Sequence, residues 1–196
     1  DPNLRLQAGI DLLMSEQNDL AWDMLKPLEK ELANDGRYWL AMCDAAYGSK
    51  RDPAALLRIA TRAHELSPND PRAQSNCASA LIVSRKRPEE AVQLTFGWLS
   101  RNTAAPGALV LHSAALAMNQ RLEEADAVLR SVNPENLAPA ARSFYYLTAF
   151  EIHAGLRQYD RAWEDSDRIQ PEHLFPTQAA WLDQTRGRLP PRGRRR

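Results

Sequence analysis

Three side chains that could ligate a metal ion, Cys43, Cys77 and His112, occupy near-equivalent places on the first helices of three consecutive predicted helix pairs. Two thiolates and an imidazole are three of the four ligands of a typical zinc site. Packed helices, however, stand about 10 Å apart, so residues on the first helices of three consecutive pairs do not converge on one ion. We therefore predict that these side chains pack in the core and that the chain has no metal site and no cofactor.

Two pairs of adjacent acids, Glu89-Glu90 and Glu123-Glu124, could in principle perform general acid–base chemistry. Each pair begins a predicted helix, where negative charge interacts favourably with the helix macrodipole. Catalytic carboxylates would instead have to converge in a cleft. The chain also contains no GxxxxGK[ST], GxGxxG, HExxH or GxSxG motif. We predict that it has no catalytic residues and is not an enzyme.

Length and composition are those of one compact domain or one short repeat array of 196 residues. No stretch reaches the 18 or so consecutive apolar residues that a membrane-spanning helix needs, so we expect no membrane span. Two cysteines do not form a disulfide framework, which mildly favours a reducing, cytoplasmic compartment. The chain begins with Asp1-Pro2, and we expect it to be a fragment or a processed form of a longer protein.

The charge of the chain is unevenly distributed. Six of its 25 basic residues lie in the last eleven positions, which contain no acid, so residues 1–185 carry 19 basic against 25 acidic residues. An acidic body of this kind does not predict nucleic-acid binding. For the basic C-terminal tail, residues 190–196, we predict a solvated segment. The alternative is that the tail contacts an acidic protein, a lipid headgroup or RNA.

Short motifs recur along the chain at intervals of about 35 residues, as in a repeat protein. The run KRDPAAL at 50–56 recurs as RKRPEEA at 85–91 and as NQRLEEA at 119–125. Five apolar anchors follow the same period, with spacings of 35, 35, 34 and 37: Ala21, Leu56, Ala91, Ala125 and Ala162. Apolar residues around these anchors recur at i, i+3, i+4 and i+7, which predicts amphipathic helices.

Helix starts and the absence of strand patterns complete the prediction of secondary structure. Asp52 before Pro53 and Asp70 before Pro71 are typical N-cap signals, because the Asp side chain accepts from free N–H groups and Pro at the first position loses no hydrogen bond. No segment shows convincing alternation with a period of two, so we expect no sheet.

This repeat resembles the tetratricopeptide repeat family, in which large and small residues alternate at set places of two helices and Pro stands near the end of each unit. The second unit carries the pattern at Trp39, Met42, Cys43, Leu56, Ala60, Ala63 and Pro68. The resemblance implies an all-α solenoid of antiparallel helix hairpins with a right-handed superhelix and about eleven helices. The expected units are 2–35, 36–70, 71–105, 106–139 and 140–175, with a capping helix at 176–189 that closes the array of 1–189.

The resemblance also implies where a partner would bind. In this family the first helices of the hairpins line a concave groove that holds a peptide or a partner's helix. Carried over to this chain, the groove residues are Arg37, Asp44, Tyr47, Arg72, Ser75, Asn76, Ser79, Val110, Leu111, Met118 and Phe144. Asn76 matches an Asn that hydrogen-bonds the ligand backbone in many members.

We therefore expect a protein–protein interaction scaffold, as part of a bacterial protein. The alternative is an accessory or substrate-recognition region of a larger multidomain enzyme, such as a glycosyltransferase or a protease.

Overall fold

The computed structural model describes residues 1–100 and 105–192. The described residues form eleven α-helices and contain no strand, which confirms the predicted all-α fold. The helices are α1 (Pro2–Met14), α2 (Asn18–Leu25), α3 (Gly36–Gly48), α4 (Pro53–Leu66), α5 (Pro71–Ser84), α6 (Pro88–Leu99), α7 (Pro106–Met118), α8 (Leu122–Leu129), α9 (Pro139–Gly155), α10 (Tyr159–Ser166) and α11 (Pro176–Arg186). Short 3₁₀ helices lie at Lys26–Leu28, Pro134–Asn136 and Pro171–His173.

The chain divides into two compact units. Unit 1 is Asp1–Ser84 and contains α1 to α5, and unit 2 begins at Arg85 and contains α6 to α11. The division falls between α5 and α6, so the expected repeat 71–105 has one helix in each unit. The repeat boundaries given above therefore stay predictions.

Within each unit, most helices that follow each other in sequence pack together, and some alternate helices also meet. In unit 1, α3 contacts α1 and α5 as well as its sequence neighbours α2 and α4. In unit 2, α7 contacts α9 as well as α6 and α8. Contacts both between sequence neighbours and between alternate helices are typical of stacked helix hairpins, in which each hairpin buries its apolar face against the next.

Helix starts follow the local signals in the sequence. Asp52 accepts hydrogen bonds from the N–H groups of Ala54 and Ala55 at 3.0 and 3.1 Å, and Asp70 accepts from the N–H groups of Arg72 and Ala73. These bonds satisfy donors that the first turn of a helix leaves without a partner. Both predicted N-caps are confirmed.

The five repeat anchors lie in the core. All five, from Ala21 to Ala162, are 0% exposed. Gly9 marks a close approach in the first hairpin, since a Cβ atom there would lie 2.5 Å from Leu25 Cδ2. The four alanine anchors and Gly9 leave room for neighbouring helices, which a large side chain at the same place would occupy.

Four of the turns within hairpins share a backbone conformation that their residue types do not predict. Glu16, Lys50, Gln120 and Arg157 have φ between 50° and 60°, in the left-handed region. In each turn the following N–H bonds the carbonyl five residues earlier, as Arg121 N does to Leu116 O at 3.0 Å. This is the Schellman ending of a helix, in which Gly is the usual left-handed residue. Here each position carries a charged or amide side chain instead.

We expect Gln120→Gly to raise the free energy of unfolding by about 0.5–1 kcal/mol. The left-handed conformation costs a residue with a Cβ about 1–2 kcal/mol, and the greater freedom of Gly in the unfolded chain offsets part of that gain. Urea unfolding followed by circular dichroism measures the change. The control is Gln120→Ala, which keeps the Cβ and should change stability little. Equal shifts in both variants would contradict the strain at this position.

Candidate functional site

Three of the predicted partner-binding residues form one polar network in unit 1. Asp44 on α3 accepts a hydrogen bond from Arg72 Nη2 at 2.6 Å and another from Asn76 Nδ2 at 3.1 Å, and both donors belong to α5. All three side chains keep contact with solvent, Arg72 most of all. The structure thus brings together residues that lie up to 32 positions apart in sequence.

The other predicted residues of α3 and α5 lie near this network along the same helices. Tyr47 is exposed and stands three residues after Asp44, which places it one turn further along the same face of α3. Ser75 and Ser79 are half-buried on α5. We call the set of Asp44, Tyr47, Arg72, Ser75, Asn76 and Ser79 the unit 1 surface.

Arg37 stands at the start of α3 and is engaged locally. Its Nη2 atom pairs with the Asp35 carboxylate at 2.6 Å, and Asp35 also caps the helix by accepting from Arg37 N. The hydrogen bond from the Arg37 side chain lowers the pKa of Asp35. This pairing orients the Arg37 guanidinium toward the helix start.

Asn76 uses only part of its hydrogen-bonding capacity within the protein. Its amide group donates to Asp44, while its carbonyl oxygen accepts no hydrogen bond from residues 1–100 or 105–192. A side-chain amide has two donor hydrogens and a carbonyl acceptor. The acceptor that a ligand N–H needs is therefore still available beside the Arg72 guanidinium.

In unit 2 the predicted binding residues are more buried than their positions suggested. Val110 and Leu111 on α7 are 2% and 8% exposed, and Val110 belongs to a core cluster with Leu116 and Leu129. The reason is that α6, α8 and α9 all pack against α7, so this helix has buried residues on most of its circumference. Val110 and Leu111 therefore contribute to the core rather than to an apolar surface for a ligand.

Phe144 and Met118 keep some accessible surface. Phe144 is half-buried and packs against two core clusters, and Met118 is half-buried at the end of α7.

Cys43 and Cys77 are buried in unit 1, as expected for core residues. Burial raises the pKa of the Cys43 thiol, and the neighbouring Asp44 and Cys77 act in the same direction. A thiol held in its neutral form is a poor metal ligand and a poor nucleophile.

His112 is buried in unit 2, where its Nδ1 atom lies 2.8 Å from Thr95 Oγ1 and burial lowers its pKa. Throughout the described part of the chain, no three His, Cys, Asp or Glu side chains are grouped as a metal site requires.

One polar cluster in unit 2 was not predicted. His153 places Nδ1 2.5 Å from Asp165 Oδ2 and Nε2 3.7 Å from Asp126 Oδ1. Arg130 makes two further hydrogen bonds to Asp126. The cluster lies in a cleft of about 430 Å³ between α8, α9 and α10. Three residues on three helices carry no local sequence signal, so periodicity alone could not have revealed their contact.

Residues 190–192 of the basic tail are exposed to solvent, and two of them also have partners within the chain. Trp163 on α10 donates a hydrogen bond to the Pro190 carbonyl, and Asp167, which directly follows α10, pairs with Arg192. The solvated tail stays a prediction. Residues 193–196 of the tail lie outside the described residues.

Within the described ranges, none of the helices combines the length and the apolar character needed to cross a membrane.

No protein-family model matches the chain, and no curated protein matches it. Among solved structures, the chain is similar to MamA, a protein that contains tetratricopeptide repeats, in the form of an RS-1 ArsTM double mutant. The two share 15% sequence identity and superimpose with a TM-score of 0.60 over 94% of this chain and 96% of that one. This chain has a tetratricopeptide-repeat-like fold.

Proposed function

We propose that the chain is a protein–protein interaction scaffold and that its unit 1 surface binds a peptide or a helix of a partner protein. The observation that carries the proposal is the network that joins Asp44 to Arg72 and Asn76 at 2.6 and 3.1 Å. It holds polar side chains of two adjacent helices in fixed positions while leaving them partly exposed. Preorganised polar groups of this kind lower the entropy cost of binding.

The chemistry of the surface suits an extended peptide segment. Asn76 offers a carbonyl oxygen to a backbone N–H of the ligand, and the Arg72 guanidinium has more N–H donors than its bond to Asp44 uses. Asp44 compensates the charge of Arg72, so the site favours polar or weakly acidic ligand groups over a strongly charged one. Tyr47 adds an exposed ring one turn away, against which an apolar side chain can pack.

Asn76→Ala should weaken partner binding by about 1–3 kcal/mol, because a ligand backbone group would lose its hydrogen-bond partner. The chain, immobilised with and without the substitution, serves as bait for a native lysate, and calorimetric titration of the captured protein gives the affinities. Asn136→Ala is the matched control, since it removes an exposed amide from unit 2.

Melting curves of the three proteins separate binding from folding. Loss of the bond to Asp44 should lower the melting temperature only slightly, since that bond is partly exposed. If Asn76→Ala lowers the melting temperature and leaves the affinity unchanged, Asn76 serves only to join α3 to α5, and the proposed site is wrong.

A further inference from the structure

The chain returns to the surface of α10 after α11 ends. Trp163 Nε1 donates a hydrogen bond to the carbonyl oxygen of Pro190 at 3.0 Å, and the Arg192 guanidinium pairs with the Asp167 carboxylate. Leu189 packs against the core cluster that contains Leu182. We call residues 189–192, with the sequence Leu-Pro-Pro-Arg, the C-terminal segment. Its partners are Trp163 on α10 and Asp167 directly after that helix, 27 and 25 residues earlier in the chain.

Two arginine side chains lie near the Trp163 ring, and Asp167 pairs with both of them. The Arg192 and Arg186 guanidinium carbons stand 5.8 and 5.4 Å from the ring centroid, within the range of cation–π attraction. Arg186 Nη2 also lies 3.7 Å from Asp167. We call the surface formed by Trp163, Asp167 and Arg186 the α10 dock.

The contacts of the C-terminal segment are those by which proteins recognise proline-containing peptides. Pro190 and Pro191 fix their own φ angles, and a residue before proline favours an extended backbone. Such a segment lacks two N–H donors, so recognition depends on its carbonyl groups and side chains. Trp163 provides a donor for a carbonyl through its ring N–H, and Asp167 provides a partner for the Arg192 side chain.

The segment does not fill the space around the dock. A cleft of about 550 Å³ lies beside it, with Tyr159, Asp160 and Arg161 of α10 on one wall and the two prolines on the other. Asp167 is about half exposed although it forms ion pairs with Arg186 and Arg192. If the C-terminal segment dissociated, the Asp167 carboxylate would lose its ion pair with Arg192 and could pair with a cation of another peptide.

We propose that the α10 dock is a binding site for an extended Pro-Pro-Arg segment of a partner protein, and that the chain's own C-terminal segment occupies it in the unbound state. The internal segment then acts as a competitor that lowers the apparent affinity of the partner. This site lies in unit 2 on a second helix of a hairpin, so it is separate from the unit 1 surface and does not depend on it.

Competition with an added peptide tests the proposal on the full chain. The probe is a fluorescent, end-blocked peptide of residues 187–192, Gly-Arg-Leu-Pro-Pro-Arg, and its anisotropy reports binding. Arg192→Ala weakens the internal segment without touching the dock, so this variant should bind the peptide about tenfold more tightly than the unaltered chain. The factor of ten corresponds to a dock that the internal segment occupies in nine-tenths of the molecules, because only the remaining tenth can then bind the peptide.

Variants of the dock provide the control. Adding Asp167→Asn to Arg192→Ala should remove most of the gained affinity, and Asp167 is exposed enough for its substitution to leave the fold intact. Trp163→Phe, which keeps an aromatic ring but loses the N–H donor, should have the same effect. A peptide with both prolines replaced by alanine should bind more weakly.

Two results would overturn the proposal. The first is that Arg192→Ala binds the peptide no better than the unaltered chain, which would mean that the internal segment does not compete. The second is equal binding by Arg192→Ala with and without the Asp167 substitution, which would place the peptide elsewhere on a generally acidic body.

Discussion

Truncation of Phe150 to alanine is expected to lower the free energy of unfolding by about 3–5 kcal/mol, the cost that removal of a buried aromatic ring has in other cores. Phe150 on α9 is 0% exposed and packs in a cluster with Tyr146, Ile169, Leu174 and Leu182. The cavity left by the ring would lie between α9 and the later residues Ile169, Leu174 and Leu182.

The ring of Phe150 also holds the last helix in place. Trp181 of α11 meets it edge to face, with 5.9 Å between ring centroids. Such pairs add about 0.5–1.5 kcal/mol beyond the area they bury. Because terminal hairpins of a repeat array need an element that covers their outer apolar face, loss of Phe150 should loosen α11 before the rest of unit 2 unfolds.

Phe96→Ala is the matched control, since Phe96 is the same residue type on α6 and is 65% exposed. It should change stability by no more than about 0.5 kcal/mol. Urea unfolding followed at 222 nm gives both values. A loss of similar size in the two variants would contradict the packing described here. A loss much larger than 5 kcal/mol would show that unit 2 cannot fold without α11.

The features that the sequence predicts correctly are those set by local chemistry. Asp is a preferred N-cap and Pro a preferred first helical residue, and Asp52 and Asp70 cap helices as expected. The 35-residue period places Ala91 and Ala125 at equivalent positions, and both are fully buried. Asp44 and Asn76 were both expected in the groove, on first helices of successive hairpins, and they are hydrogen bonded.

The features that the sequence does not predict depend on the tertiary surroundings of a residue and not on its local pattern. Val110 has the spacing of a surface residue of a first helix, yet three helices cover α7 and bury it. The contact of Pro190 with Trp163 joins residues 27 apart across an irregular segment, where no periodicity applies. Lys50 has a left-handed φ because the turn geometry requires it, although its residue type argues against it.

The cluster of Asp126, His153 and Asp165 is the second place where a single substitution should have a large effect. Asp165→Ala is expected to cost about 2–3 kcal/mol, because it removes the hydrogen bond to His153 Nδ1 and leaves a largely buried imidazole without that partner. The cost should stay below that of a fully enclosed ion pair, since the cluster borders the 430 Å³ cleft.

The two partners should depend on each other. His153→Ala alone removes the partner of the Asp165 carboxylate, which is 9% exposed, and should cost a similar amount. In the double variant neither group remains, so no polar atom of the pair is left buried without a partner. The sum of the single losses should exceed the loss in the double variant by about 0.5–3 kcal/mol, the range found for residues in direct contact.

A comparison with Asp126 shows whether the coupling energy is confined to His153 and Asp165 or extends over the whole cluster. It has its own partner in Arg130, with hydrogen bonds from both Nε and Nη2, so removing His153 leaves its carboxylate compensated. The coupling between His153 and Asp126 should therefore be well below that between His153 and Asp165, as the longer distance of 3.7 Å against 2.5 Å also indicates.

Urea unfolding of the two double-mutant cycles, with the exposed Asp183→Ala as control, measures both couplings. Two equal couplings would mean that His153 joins α8 to α10 through both carboxylates, and additive losses throughout would mean that the cluster contributes nothing as a unit.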